Sequence, residues 1–310
     1  MSAIEPRNVR IPHSFRSLTM ASGIRAAAER APGKIAVLHG PRSATYAAFV
    51  DRMDLAAGAV IGDLGLAPGE NVAIVARNCI EYLEVACGVP DAGVAVATVN
   101  SRYTTAEIEA VCDDAEARAI FTDGACAAAV RAGRYRTVTR VIEFGPDYER
   151  WLGRGAGVTA RPPVDEWDTW TMPYTSGTTG RPKGVLLSHR GRSLLALAAA
   201  SEFGCFSPDD RFLAMTPMNH GGGLAFPVAA LLTGGSVELM ERFDPLEVLR
   251  KLKSGGITGI FMVPTHFHQI FALDPTVLAR FERPPVKAII SNAAPLPQVC
   301  LLYTSPSPRD

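Results

Sequence analysis

Tyr174-Thr175-Ser176-Gly177-Thr178-Thr179-Gly180-Arg181-Pro182-Lys183-Gly184 is the stretch on which the reading of this chain turns. It leaves a short strand-like run, Thr171 to Thr175, and precedes the apolar Val185-Leu186-Leu187, so the pattern predicts a strand, a loop and a return to buried structure. Its residue types suit a polyphosphate. The glycines let backbone N–H groups approach anionic oxygens, the hydroxyls of Thr175, Ser176, Thr178 and Thr179 can donate, and Lys183 brings a mobile positive charge. It is not the loop that ends in Gly-Lys-Ser/Thr, because Pro182 precedes Lys183 and Gly184 follows it. A flexible Ser/Thr/Gly surface loop would share this composition; the full string in a strand-loop setting sets this one apart.

On either side, apolar runs bounded by turn residues alternate with segments of helical period, the pattern of parallel sheets covered by helices. Before the loop, strands are expected at Asn71 to Ala76, Val94 to Val99, Ala119 to Thr122 and Val138 to Phe144, with helices at Cys79 to Gly88 and Thr105 to Ala115. Thr104 and Glu107 have capping-box spacing. After it, strands are expected at Arg211 to Met215, Val237 to Met240, Gly259 to Val263 and Val286 to Ser291, and Asp244, Pro245 and Glu247 suit the N-cap, N1 and N3 positions of a helix. The fold class is α/β, with two packed lobes of largely parallel sheet. The Arg/Gly/Pro-rich stretch from Gly153 to Pro163 reads as a connection, giving lobes at 1–160 and 161–299. No fixed-period repeat and no Gly-x-Gly-x-x-Gly after a strand is present.

Composition narrows the class further. Of 310 residues 47% are hydrophobic and 20% charged, and 31 Lys plus Arg balance 31 Asp plus Glu, so nothing favours nucleic acid or an anionic membrane. Cys79, Cys87, Cys112, Cys126, Cys205 and Cys300 form no Cys-x-x-Cys pair and lack zinc-type His spacing, so reduced thiols are expected and no metal site. Neither a signal sequence nor a transmembrane run is evident, which makes the cytoplasm the expected location.

The loop string resembles the phosphate-binding signature of the adenylate-forming superfamily, which includes acyl-CoA synthetases, aryl-CoA ligases, peptide-synthetase adenylation domains and firefly-type luciferases. Asn100-Ser101-Arg102-Tyr103 is similar to a segment of acyl-CoA ligases that carries no assigned chemistry. Thr216-Pro217-Met218-Asn219-His220-Gly221-Gly222-Gly223 is similar to the family's strand-end motif, which implies that His220 lies beside the acyl pocket and that Gly221 and Gly222 make room for substrate. His220 is not expected to be a general base, because a carboxylate substrate is already ionised at neutral pH. Ser291-Asn292-Ala293-Ala294-Pro295-Leu296-Pro297 resembles the adenine-side motif, commonly Ser-Gly-Ala-Ala-Pro-Leu. Asn292 replaces the glycine, and since asparagine tolerates positive φ the turn can survive. His189 is expected to pack at a helix start behind the N-cap Ser188, and His266 and His268, two apart on a helix, diverge too far for a metal pair.

The resemblance implies an ATP-dependent acid–thiol ligase. A carboxylate attacks the α-phosphorus of ATP to form acyl-AMP and pyrophosphate, and coenzyme A then displaces AMP. The residues from Thr175 to Lys183 would hold the β- and γ-phosphates, with Mg²⁺ sharing the charge. The acid itself is not defined by these residues; a medium or long acyl chain is the expectation. The family's later motifs, its ribose contacts and the catalytic lysine of its small C-terminal domain do not occur before Asp310, so no catalytic residue is assigned within this chain. Residues 300–310, rich in Ser and Pro, read as a non-native tail. Two alternatives stay open: a nucleotide-binding fragment without activity, and an adenylating enzyme that loads a carrier-protein thiol.

Overall fold

A computed structural model of the chain describes residues 17–175, 182–281, 286–292 and 294–295. Among these residues the strands are β1 (Ile35–His39), β2 (Arg42–Thr45), β3 (Asn71–Val75), β4 (Ala95–Val99), β5 (Ala117–Thr122), β6 (Arg140–Glu143), β7 (Thr169–Thr175), β8 (Lys183–Gly184), β9 (Leu187–Ser188), β10 (Arg211–Ala214), β11 (Ser236–Leu239), β12 (Gly259–Met262) and β13 (Ala288–Ser291). They form two sheets. One runs β13-β12-β10-β11-β1-β2, parallel except for the β1–β2 hairpin. The other runs β6-β5-β3-β4-β7-β8, with β9 also on β7; its first five strands are parallel and β8 and β9 run back against β7.

The central strands are apolar on both faces because both faces are covered. In β3, Val72 and Ile74 join the large core between the sheets, while Ala73 and Val75 join a second core against the helix Thr105–Asp114. In β10, Phe212 and Ala214 face the same large core, whereas Leu213 and Met215 pack with Val248, Leu252 and Phe267 on the far side. Period-2 alternation therefore distributes each strand between two hydrophobic layers. Helices Met20–Arg30, Tyr46–Gly62, Ile80–Gly88 and Gly221–Thr233 fill the layer between the sheets. Helix starts follow local chemistry: Thr104 Oγ1 accepts from Glu107 N–H while Glu107 bonds back to Thr104 N–H, and Asp244 accepts from Glu247 N–H ahead of Pro245.

The division at residue 160 does not coincide with the change of sheet. Strands β1 and β2 belong with β10 to β13, and β7 to β9 belong with β3 to β6, so each sheet draws on both halves of the chain. The Gly153 to Pro163 stretch packs closely against the first helices. Gly155 lies so close to the helix Tyr46–Gly62 that an added Cβ would fall 2.0 Å from the Leu55 carbonyl oxygen, and Gly58 faces it in turn. Arg161 bonds Asp54 at 2.8 Å and Asp91 at 3.0 Å, carboxylates that Arg25 also engages. Gly and Arg here serve backbone contact and ion pairing rather than flexibility. Gly155→Ala should cost about 2–3 kcal/mol by overpacking against backbone that cannot yield; urea unfolding would measure it, and an unchanged midpoint would refute the contact.

Candidate functional site

The phosphate-loop stretch is held by a hairpin. β7 pairs with β4 on one side, Val96 opposite Thr171 and Thr98 opposite Pro173, and turns back into β8 so that Thr175 lies opposite Lys183 and Tyr174 opposite Gly184. Tyr174 is buried and its hydroxyl donates to Asp114 at 2.8 Å, and Trp170 Nε1 donates to the Ala86 carbonyl at 2.8 Å, so β7 is anchored along its length. Thr175 and Lys183 are exposed and adjacent at the hairpin's base. Ser176, Gly177, Thr178, Thr179 and Gly180 lie outside the described residues.

Across from this hairpin, the segment after β10 turns at Thr216 to His220 into the helix Gly221–Thr233, with His220 as its N-cap. A buried residue from the other sheet sets that turn. Asn78, just past β3, donates through Nδ2 to the carbonyls of Thr216 and Met240, both at 3.1 Å, and accepts from Met218 N–H at 2.9 Å. Thr98 of β4 adds a 3.1 Å bond to the Asn219 carbonyl. The loop beyond the C-terminal end of β10 is thereby tied to strand ends of the second sheet, the region where open parallel sheets place ligands.

Between them is a narrow crevice lined by Thr98, Thr171, Pro173, Met218, His220 and Gly221, with Arg192 also on its wall. His220 and Gly221 both line this crevice. Gly222 and Gly223 line a neighbouring recess with Met215, Pro227 and Phe261. A Cβ added to Gly222 would meet the Phe261 ring at 2.8 Å, and one on Gly223 would fall 2.1 Å from the Pro217 carbonyl oxygen, so both positions are also closely packed. Burial, and then the positive charge of Arg102, lower the His220 pKa, which favours the neutral imidazole.

Asn292, Ala294 and Pro295 follow β13, exposed, while Ala293 lies outside the described residues. β13 is separated from β10 by β12, so this segment stands two strand spacings, roughly 10 Å, from the Thr216–His220 turn. Asn292 does not take the left-handed backbone suggested for it: among the described residues Glu116 is the only non-glycine with positive φ.

His189 and His266 are packing residues. His189 is buried and its Nδ1 accepts from Met20 N–H at 3.2 Å; His266 accepts from Val263 N–H at 3.3 Å and stacks on Phe243 at 4.4 Å, while His268 is exposed. Cys79, Cys87, Cys112, Cys126 and Cys205 are free thiols, and burial pushes Cys87 and Cys112 up to about 12. Sequence reasoning missed two residues, Asn78 and Arg192. The first stands one residue beyond a strand-end Arg and carries no motif; for the second, the signal was a charged residue three positions after His189, on the inward face of a helix.

The family model described as AMP-binding enzyme matches residues 24–302. The chain belongs to that family. Among curated relatives of this AMP-binding enzyme, a 3-[(3aS,4S,7aS)-7a-methyl-1,5-dioxo-octahydro-1H-inden-4-yl]propanoyl:CoA ligase of Mycobacterium tuberculosis is 33% identical over 284 residues, 86% of this chain and 55% of the relative. A long-chain-fatty-acid–CoA ligase of Thermus thermophilus is 34% identical over 213 residues, 65% of this chain and 39% of the relative. The N-terminal domain of FACL13 from Mycobacterium tuberculosis superposes with a TM-score of 0.81 at 23% identity, covering 92% of this chain and 72% of that one. ATP-bound MatB from Rhodopseudomonas palustris gives 0.80 at 24% identity, with 93% and 57% covered. The chain spans about half the length of the curated relatives it matches. Among its described residues no helix is long and apolar enough to cross a membrane.

Proposed function

We propose that this AMP-binding enzyme activates a carboxylic acid as an acyl-adenylate and transfers the acyl group to coenzyme A. The observation that carries the reading is the hairpin that sets Thr175 opposite Lys183, two residues beyond Pro173, which lines a crevice bordered by His220 and Gly221. A polyphosphate at the loop and a carboxylate in the crevice would meet there. The chemistry needs little from the protein beyond alignment and charge neutralisation. Lys183 and the hydroxyls from Thr175 to Thr179 would bind the β- and γ-phosphates of Mg²⁺–ATP, so that pyrophosphate leaves as the substrate carboxylate attacks the α-phosphorus. The small backbone at Asn292, Ala293, Ala294 and Pro295 would receive the flat adenine and acyl groups. Coenzyme A is the proposed thiol, as in the names of the curated ligases, and the cytoplasm is the proposed location.

ATP titration of the 310-residue chain tests the reading. Thr179→Ala should weaken ATP binding about tenfold, by ~1.4 kcal/mol, through loss of a charge-assisted hydrogen bond; unchanged affinity would remove the loop from the site. Pyrophosphate exchange with acid and ATP then separates the outcomes. Exchange followed by thioester formation with coenzyme A supports the ligase, and acylation of a carrier protein alone would assign a different acceptor. ATP binding without exchange would mark this chain as a nucleotide-binding piece.

A further inference from the structure

The helix His189–Phe203 buries its small side chains and exposes its large ones. Ser193, Ala196 and Ala199 face inward, while Leu194 is 45% exposed, Leu195 39% and Leu197 48%. A helix that covers a globular core shows the reverse, with large apolar side chains inward and charges outward. Here the exposed positions from Gly191 to Ser201, namely Gly191, Leu194, Leu195, Leu197, Ala198 and Ser201, carry no charge at all. Trp167, 70% exposed, extends this apolar surface past the first turn of the helix, where Arg190 lies over its indole ring at 5.3 Å. Contiguous leucine and tryptophan surface of this kind marks a place of association.

The helix also has a rough two-fold pattern about Ala196. Leu195 and Leu197 stand one position to either side, Leu194 and Ala198 two, Gly191 and Ser201 five, and Arg190 and Glu202 six. Two such helices laid antiparallel across a two-fold axis set Leu194 of one against Ala198 of the other, large against small, and the small residues Gly191 and Ser201 let the backbones approach. The ends complement each other in charge. Glu202 is exposed and makes no ion pair among the described residues, and the antiparallel arrangement brings it to the Arg190 end of the other copy, at the positive end of that helix dipole. With Trp167 the face offers roughly 500 Å² per copy, so that two copies bury about 1,000 Å², the lower end of the range for specific association.

We propose that this face receives a second copy of the chain, the two His189–Phe203 helices packing antiparallel about Ala196. The inference stands on the helix itself and holds whichever ligand the enzyme binds. An interface of this size gives a weak dimer, half formed at roughly tens of micromolar protein.

Sedimentation equilibrium of the 310-residue chain between about 1 and 200 μM is the test, since association depends on concentration. The average mass should rise from 33.0 kDa toward twice that value. Acrylamide quenching should fall in parallel, because Trp167 is exposed whereas Trp151 and Trp170 are buried. Leu194→Glu and Ala198→Lys, both at exposed helical positions, should each weaken the dimer about tenfold or more. An equimolar mixture of the two should recover most of the affinity, because the antiparallel register brings the new carboxylate onto the new amine; thermal melting confirms that both variants fold. A chain that stays at 33.0 kDa throughout overturns the proposal. In that case a Trp167 open to quencher gives the face to a different partner, and a Trp167 shielded only while residues 1–16 are present gives it to the chain's own leading segment. A dimer that Leu194→Glu leaves intact, or a mixture no tighter than the single variants, likewise overturns the assignment of this helix pair.

Discussion

Replacing Asn78 by alanine should destabilise the protein by roughly 3–5 kcal/mol, because one side chain satisfies three buried backbone groups and each group left unpaired costs about 1–3 kcal/mol. Asn78 is 2% exposed, and its partners are the carbonyls of Thr216 and Met240 and the N–H of Met218. Met215, Met218 and Met240, apolar neighbours along these loops, are buried. The consequence reaches the site as well as the fold. Asn78 belongs to the β3 sheet and its partners to the loops after β10 and β11, so its loss frees the Thr216–His220 turn from the opposite sheet. Urea unfolding reads the stability change. Asn78→Asp discriminates the cause: it keeps an acceptor for Met218 N–H, but an ionised carboxylate cannot donate to the two carbonyls. If Asn78→Ala unfolds at the wild-type midpoint, the side chain is not the pin between the sheets.

Much of the architecture was legible because local signals and burial agree. β3 and β4 read as uninterrupted apolar runs because both their faces are covered, and Thr104, Glu107, Asp244 and Pro245 fix helix starts through bonds only a few residues long. The exchange of strands between the sheets was not legible. Nothing in Ile35–His39 says that it pairs with Val237 to Leu239, two hundred residues later, rather than with its sequence neighbours. The site divides in the same way. His220 and Gly221 announce themselves through a glycine-rich turn after a strand, whereas the packing roles of Gly222 and Gly223 depend on where Phe261 and Pro217 stand. Asn78 and Arg192 draw their meaning from groups 138 residues away or from the lack of a partner, and neither leaves a pattern in one sequence.

Acidification from pH 6.5 to 4 should remove about 6 kcal/mol of stability, the combined effect of His189 and His266, each held near a pKa of about 4 against about 6.5 unfolded, at ~1.4 kcal/mol per unit. The cause in both is burial. For His189 the opposing pull of Asp168 and of the Pro90 carbonyl is smaller, and for His266 no opposing charge enters. The sign follows from which state takes the proton. Above pH 6.5 both histidines are neutral in either state and the full stability is present; as pH falls toward 4, the unfolded chain binds protons that the folded one refuses, and the equilibrium shifts to unfolding. Protonation in the folded state would also abolish the acceptors used by Met20 and Val263 N–H, loosening the helix Met20–Arg30 from the helix that carries Arg192. Carboxylates with lowered pKa, such as Asp54 and Asp123, act below this window, since their contribution is lost only as pH falls through their own depressed values. Urea unfolding at steps from pH 7 to 4.5 gives the slope. A protein carrying both His189→Gln and His266→Gln keeps a side-chain acceptor at each position and should lose most of the pH dependence; if its slope matches wild type, other groups govern the acid transition.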